Sequence, residues 1–217
     1  MNKAFENIIY DLDGTLVDTK EGIELSLKHA VSITDPNLDF PDLNEFIGPP
    51  LQIMLSHIWP SMNEIKKTQI LQIFRIDYYE RGCFFSKSYP MVETILKKFS
   101  DAGKRQFVLT NKPAMATIKI LNHLNIARYF EKVMSPDSGE PSSGSKSARA
   151  ARLINSSGLR PNSTLLVGDS YEDFCAAQDT GVSFLGASYG YGDFDKNVTK
   201  KRILRLNTFS DLVKITG

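Results

Sequence analysis

From about Val92 onward the chain alternates between segments of helical period and short β-branched or aromatic runs, and this alternation constrains the fold more than any other feature. A helix over Val92 to Ala102 precedes "RQFVLTN", and one over Pro113 to Leu124 precedes "EKVMS". One from Ser147 to Ile154 precedes "STLLVGD", and one over Glu172 to Asp179 precedes "VSFLGA". Helix and strand in alternation predict a parallel sheet covered on both faces, an α/β core of Rossmann-like build. The same sheet has an earlier member. In "NIIYDLDGTLVDT" (Asn7 to Thr19), Ile8, Ile9 and Tyr10 read as a short buried strand stopped by turn chemistry.

Between these two parts the period is helical throughout. Ile23, Leu27 and Ala30 fall on one face of a first helix, with Asp18 or Thr19 available to cap it. A second helical stretch breaks at Gly48-Pro49-Pro50 and restarts at Leu51. A third places Ile65, Ile70, Ile73, Phe74 and Ile76 on its apolar side and stops at Gly82. The expected division is therefore a core of residues 1–16 and 83–217 and an inserted all-helical cap domain of residues 17–82. An insertion at the end of the first strand overhangs the carboxyl edge of the sheet, where open α/β sheets bind ligands.

Composition narrows the classes of function without choosing one. Lys and Arg number 26 against 25 Asp and Glu, a formal net charge of +1, so no global field draws the chain to nucleic acid or to an anionic membrane. The basic cluster Lys196, Lys200, Lys201, Arg202 and Arg205 reads as a solvated face. No apolar run reaches the roughly 18 residues of a membrane span, and no charged start leads into an apolar stretch. Cys83 and Cys175 match no metal spacing and read as reduced thiols, which fits a cytoplasmic protein.

The chemistry converges on strand ends. The first strand runs into Asp11 and Asp13, "FVLTN" into Thr110 and Asn111, and "LLVGD" into Asp169, with Asp173 one helical turn on. Lys146 lies in the loop between the second and third groups. In a strand, side chains two apart point to the same side, so Asp11 and Asp13 repel and lose water unless something compensates them. A hard cation such as Mg²⁺ does so, being suited to oxygen ligands. Thr, Asn and Lys supply a hydroxyl, an amide and a point charge, a set suited to phosphate oxygens. A carboxylate beside the metal can attack phosphorus to give an acyl-phosphate, and a second carboxyl two residues on can protonate the leaving oxygen and then activate water.

Taken in order, "DLDGTLVDT", "LTN", a lysine ahead of a helix and "GDSYED" resemble the motifs of the haloacid dehalogenase superfamily of phosphohydrolases. "FIGPPL" in the insertion and "YGYG" at 189–192 further resemble the phosphoglycolate phosphatase-like branch with a helical cap. The resemblance implies Asp11 as nucleophile and Asp13 as general acid/base, its backbone carbonyl also on Mg²⁺. It implies Thr110, the Asn111 backbone and Lys146 on the phosphate, Asp169 on the metal, and Asp173 ordering the metal's water shell or binding more directly. Gly48, Pro49 and Pro50 would face the substrate from the cap. Many relatives carry Lys-Pro where this chain has Lys146-Ser147, which makes Arg149 and Arg152 rivals for the lysine's role. A helix beginning near Ser147 is expected to carry both away from the crevice.

The implied activity is Mg²⁺-dependent hydrolysis of a small organic phosphate monoester, phosphoglycolate-like, by a monomer or homodimer. A 5′-nucleotidase, a sugar-phosphate phosphatase or phosphomutase, and a catalytically silent binding relative are the alternatives. Other features read as structural. A calcium loop is interrupted by Leu16 and Val17. His29, His57 and His123 share no spacing, Trp59, Tyr78, Tyr79, Phe84 and Phe85 read as packing, and Ser170 as a helix cap.

Overall fold

The computed structural model describes residues 5–43, 51–138, 144–194 and 203–216. In chain order, β1 (Asn7–Tyr10) is followed by β2 (Val17–Asp18), helices α1 (Lys20–Thr34), α2 (Leu51–Ile58) and α3 (Glu64–Glu80), and β3 (Lys87–Ser88). Alternation then sets in with α4 (Val92–Asp101), β4 (Arg105–Leu109), α5 (Ala114–His123), β5 (Lys132–Met134), α6 (Lys146–Ser156) and β6 (Thr164–Gly168). The remaining elements are α7 (Tyr171–Thr180), β7 (Ser183–Ala187), β8 (Arg205–Leu206) and α8 (Leu212–Thr216).

Six strands pair in parallel in the order β5–β4–β1–β6–β7–β8. All four residues of β1 are buried, as expected of a parallel strand covered on both faces. Its side chains alternate between two apolar layers. Ile8 and Tyr10 join Val108, Leu165 and Val167 on one face, and Ile9 joins Phe107, Leu109 and Leu166 on the other. Complete burial of Ile9 is worth about 1.5–3 kcal/mol, and truncating it to Ala would cost about 2–5 kcal/mol. The first layer continues without a break into the insertion through Leu27, Ile70, Phe74 and Tyr78.

Because β4 and β6 flank β1 on opposite sides, the chain reverses its direction of winding there. The loops after these three strands therefore open side by side at one carboxyl edge.

The structure adds three details to the reading of the insertion. The buried stripe of α3 is Lys67, Ile70, Leu71, Phe74 and Tyr78, whereas Ile65 and Ile76 are exposed. At 100° per residue those two isoleucines fall on the far side of the stripe. Of the two cap candidates for α1, Asp18 accepts from the Lys20 N–H at 3.1 Å, and Thr19, at the N-cap position, makes no side-chain cap bond. The two ends of the insertion are tied by an antiparallel ladder, Val17 opposite Ser88 and Asp18 opposite Lys87, too short to leave a period in the sequence. Gly48, Pro49 and Pro50, like Lys196, Lys200, Lys201 and Arg202, lie outside the described residues. Arg205 is described and stacks its guanidinium over the Phe194 ring.

Cys83 and Cys175 are both free thiols. Among the described residues no helix is long and apolar enough to cross a membrane.

Candidate active site

The site begins where β1 stops. The Asp11 N–H donates to the Val167 carbonyl at 2.9 Å and so extends the ladder by one residue. Leu12, fully buried, then anchors a turn whose N–H groups at Leu16 and Val17 donate to its carbonyl. Gly14 holds φ at +78°, and a Cβ there would lie 2.1 Å from Asp169 Oδ2. Asp11 and Asp13 thus sit in the turn rather than in the strand proper, and each has its own counter-charge. This replaces the expected arrangement of two carboxylates compressed on one strand face.

Around Asp11 the negative charge is dense. Lys146 Nζ donates to Asp11 Oδ1 at 2.7 Å and lies 2.7 Å from Asp173 Oδ1. Asp11, Asp169 and Asp173 are all buried, with carboxylate oxygens within 4.8 Å of one another. Burial, only partly offset by Lys146, pushes the Asp11 carboxyl well above the usual carboxylate range. Burial and the neighbouring Asp173 push Asp169 up to about 6. Burial disfavours the charged Lys146 ammonium, but Asp11 and Asp173 outweigh it and raise its pKa.

Asp169 is held from one side. Its Oδ2 accepts from the Tyr191 and Gly192 N–H groups at 2.8 and 2.9 Å, a use of the "YGYG" segment that the sequence did not reveal. Asp173 is fixed by a reciprocal cap in which Ser170 and Asp173 satisfy each other's backbone N–H, so Ser170 is the expected helix cap. Fully ionised, three buried carboxylates against one ammonium leave an excess of two negative charges. That excess, in hard oxygen donors, fits a divalent cation.

Asp13 points elsewhere. It accepts from the Thr19 hydroxyl at 2.6 Å and from Lys112 Nζ at 3.0 and 3.1 Å. Lys112 is buried and lies 5.0 Å from the centre of the Tyr78 ring on α3, so it joins core to insertion at the second carboxylate. Burial opposes its charge, but Asp13 more than compensates and its pKa rises. Sequence reasoning missed Lys112. The available signal was its position directly after "LTN", in the loop already singled out.

Thr110 is buried at the end of β4, its hydroxyl oxygen accepting from the Lys112 N–H at 3.0 Å. Asn111 donates to Glu172 at 2.6 Å and accepts from Arg149. Lys146 is not in a loop but is the first residue of α6, which Ser145 caps. Arg149 is a correction. It was expected to turn away, yet it is buried at the crevice and donates to the Gly144 carbonyl at 2.7 Å. Residues three apart share a helix face, and side chains lean toward the helix N-terminus, so Arg149 follows Lys146 into the site.

A cavity of about 470 Å³ opens off Asp13, between the core and the insertion. Lys112 and Arg149 line it from the core, and Ile23, Met54, Phe74, Arg75 and Tyr79 from the insertion. Asp13 links this cavity to the acidic pocket around Asp11, standing two residues from Asp11 in the same turn and lining the cavity.

Residues 8–187 match the haloacid dehalogenase-like hydrolase family. The chain therefore belongs to that family. Among curated proteins it is 28% identical to a 5′-nucleotidase of Pseudomonas aeruginosa, over 88% of this chain and 86% of that one. It is 26% identical to a phosphoglycolate phosphatase of Aquifex aeolicus, over 96% and 95%. A solved structure of a predicted phosphoglycolate phosphatase from Haemophilus somnus superposes with a TM-score of 0.84 at 27% identity, covering 98% of each chain.

Proposed function

We propose that this chain is a Mg²⁺-dependent phosphomonoesterase in which Asp11 is the nucleophile. The observation that carries the reading is the separation of two carboxylates two residues apart. Asp11 sits with Lys146, Asp169 and Asp173, and Asp13 sits with Lys112 at the mouth of the cavity. One carboxylate is placed for attack on a bound phosphoryl group, and the other faces the space where a leaving group would lie.

Asp11, Asp169 and Asp173, with the Asp13 backbone carbonyl, would hold the metal. Bound there, Mg²⁺ supplies charge stabilisation for the phosphoryl oxygens. The Lys146 ammonium, the Thr110 hydroxyl and the Asn111 N–H bind and orient that group. An Asp11 oxygen forms a bond to phosphorus as the bond to the ester oxygen breaks, and Asp13 gives that oxygen its proton. In the second half Asp13 takes a proton from water as the water oxygen bonds to phosphorus, releasing Asp11 and inorganic phosphate.

Residues 17–82 act as the cap over this site, hinged at the β2–β3 ladder, and exclude bulk water from the first half. The substrate is a small phosphorylated metabolite, phosphoglycolate-like, and the cytoplasm is the compartment that suits two free thiols.

The test is phosphate release from a panel of phosphorylated acids, nucleotides and sugars by the wild type and by Asp11→Asn. The variant keeps the shape and loses the nucleophile, so kcat should fall on the order of 10³-fold or more with the fold retained. Near-normal turnover by Asp11→Asn would remove the assignment. A requirement for a sugar bisphosphate as activator would indicate a phosphomutase, and no turnover of any ester a silent relative.

A further inference from the structure

The cavity beside Asp13 carries more positive charge than the phosphoryl chemistry uses. Its described lining contains three cations, Arg75, Lys112 and Arg149, and one carboxylate, Asp13. Two of the cations are engaged: Lys112 with Asp13, and Arg149 with Asn111 and the Gly144 carbonyl. Arg75 differs. It stands on α3 one turn before Tyr79, is exposed, lines the cavity, and has no hydrogen bond or ion pair among the described residues.

The surroundings of Arg75 set what it can read. Ile23, Met54, Phe74 and Tyr79 give the cavity apolar and aromatic walls. A guanidinium beside low-dielectric walls attracts an anion more strongly than one in open water, and its planar fork pairs with carboxylate or phosphate through two parallel bonds. The volume of about 470 Å³ falls within the roughly 300–1,000 Å³ of small-molecule sites and leaves room for an apolar body beyond the scissile bond.

We propose that the leaving group of the substrate carries a negative charge of its own on an apolar body, and that Arg75 of the insertion reads that charge. The inference rests on the phosphatase reading above and deepens it. It favours phosphorylated acids and bisphosphates over nucleoside monophosphates and simple sugar phosphates, whose leaving groups are neutral. Arg75 is a specificity residue here and takes no part in the bond-breaking steps.

The test compares esters that differ only in that charge. 4-(Carboxymethyl)phenyl phosphate and its carboxamide have the same size, and the methylene insulates the leaving oxygen from the change. Phosphoglycolate and its amide form a shorter pair, and fructose 1,6-bisphosphate against fructose 6-phosphate separates a second phosphate from a carboxylate. Wild-type kcat/KM should favour the charged member of the matching pair at least tenfold, mainly through KM. Arg75→Met should reduce that preference at least tenfold, and Arg75→Lys, which keeps the charge, should retain part of it. No charge preference in the wild type, an equal loss on both members in Arg75→Met, or a nucleoside monophosphate as best substrate would overturn the proposal. Failure of the phosphatase reading looks different: 4-nitrophenyl phosphate, which carries no second anion, would then not be hydrolysed either, and this inference would fall with it.

Discussion

Removing the Lys146 ammonium probes the electrostatics of the site without any assay of turnover. In Lys146→Met the side chain keeps most of its length and loses its charge. The wild-type Nζ is 2.7 Å from an oxygen of Asp11 and 2.7 Å from one of Asp173. At an effective dielectric of about 20, each pair is worth roughly 6 kcal/mol of gross attraction. Desolvation of the buried groups consumes much of it, and breaking a buried pair from one side costs about 3–5 kcal/mol net.

A chain of this size loses about 2–4 °C in Tm per kcal/mol, so metal-free Lys146→Met should melt about 6–20 °C below the wild type near neutral pH. The pH dependence has a definite sign. Without the ammonium, the raised pKa values of Asp11 and Asp169 rise further. Between the unfolded value near 4 and the folded values, the native variant binds more protons than the unfolded chain, so acid stabilises it. The deficit should therefore shrink as pH falls from 8 toward 5, and Mg²⁺, by taking up the same charge, should narrow it at neutral pH. Thermal unfolding followed by circular dichroism across that range, in chelator and in Mg²⁺, measures all three. A variant that melts within about 1 °C of the wild type at pH 7–8, or a deficit that ignores pH, would refute the reasoning.

Asp13→Ala should slow hydrolysis of an alkyl phosphate more than that of nitrophenyl phosphate and allow aspartyl-phosphate to accumulate on acid quench; equal losses with no accumulation would leave Asp13 a structural role only. In the metal-free wild type, Asp169, raised from 3.8 to about 6, should lower stability by about 3 kcal/mol as pH rises from about 4 through 6, and calorimetric Mg²⁺ affinity should fall as pH drops below 6. Affinity flat from pH 5 to 7 would contradict it. Gly14→Ala should weaken Mg²⁺ binding measured by the same titration, because its Cβ meets Asp169 Oδ2 and its φ of +78° disfavours any side chain; unchanged affinity would separate the turn from the metal pocket.

Much of this protein was legible along the chain because its determinants are local. The alternation after Val92 dictates parallel strands, since a helix between two strands leaves a crossover connection. The apolar run of Ile8, Ile9 and Tyr10 marks the strand buried on both faces, and the polar residues ending three strands mark the crevice. What depended on distance in space was not legible. Lys112 pairs with a carboxylate 99 residues away, and Tyr191 and Gly192 grip Asp169 with backbone N–H groups that any residue but proline possesses. Arg149 was expected to leave the site because a helix period fixes which residues share a face but not where the first turn points. The separate counter-charges of Asp11 and Asp13 arise because the strand ends at Tyr10 and the turn rotates two neighbouring carboxylates toward different partners. Spacing in the sequence places both acids at one edge of the sheet, and only tertiary packing assigns one to the buried acidic pocket and the other to the cavity beneath the insertion.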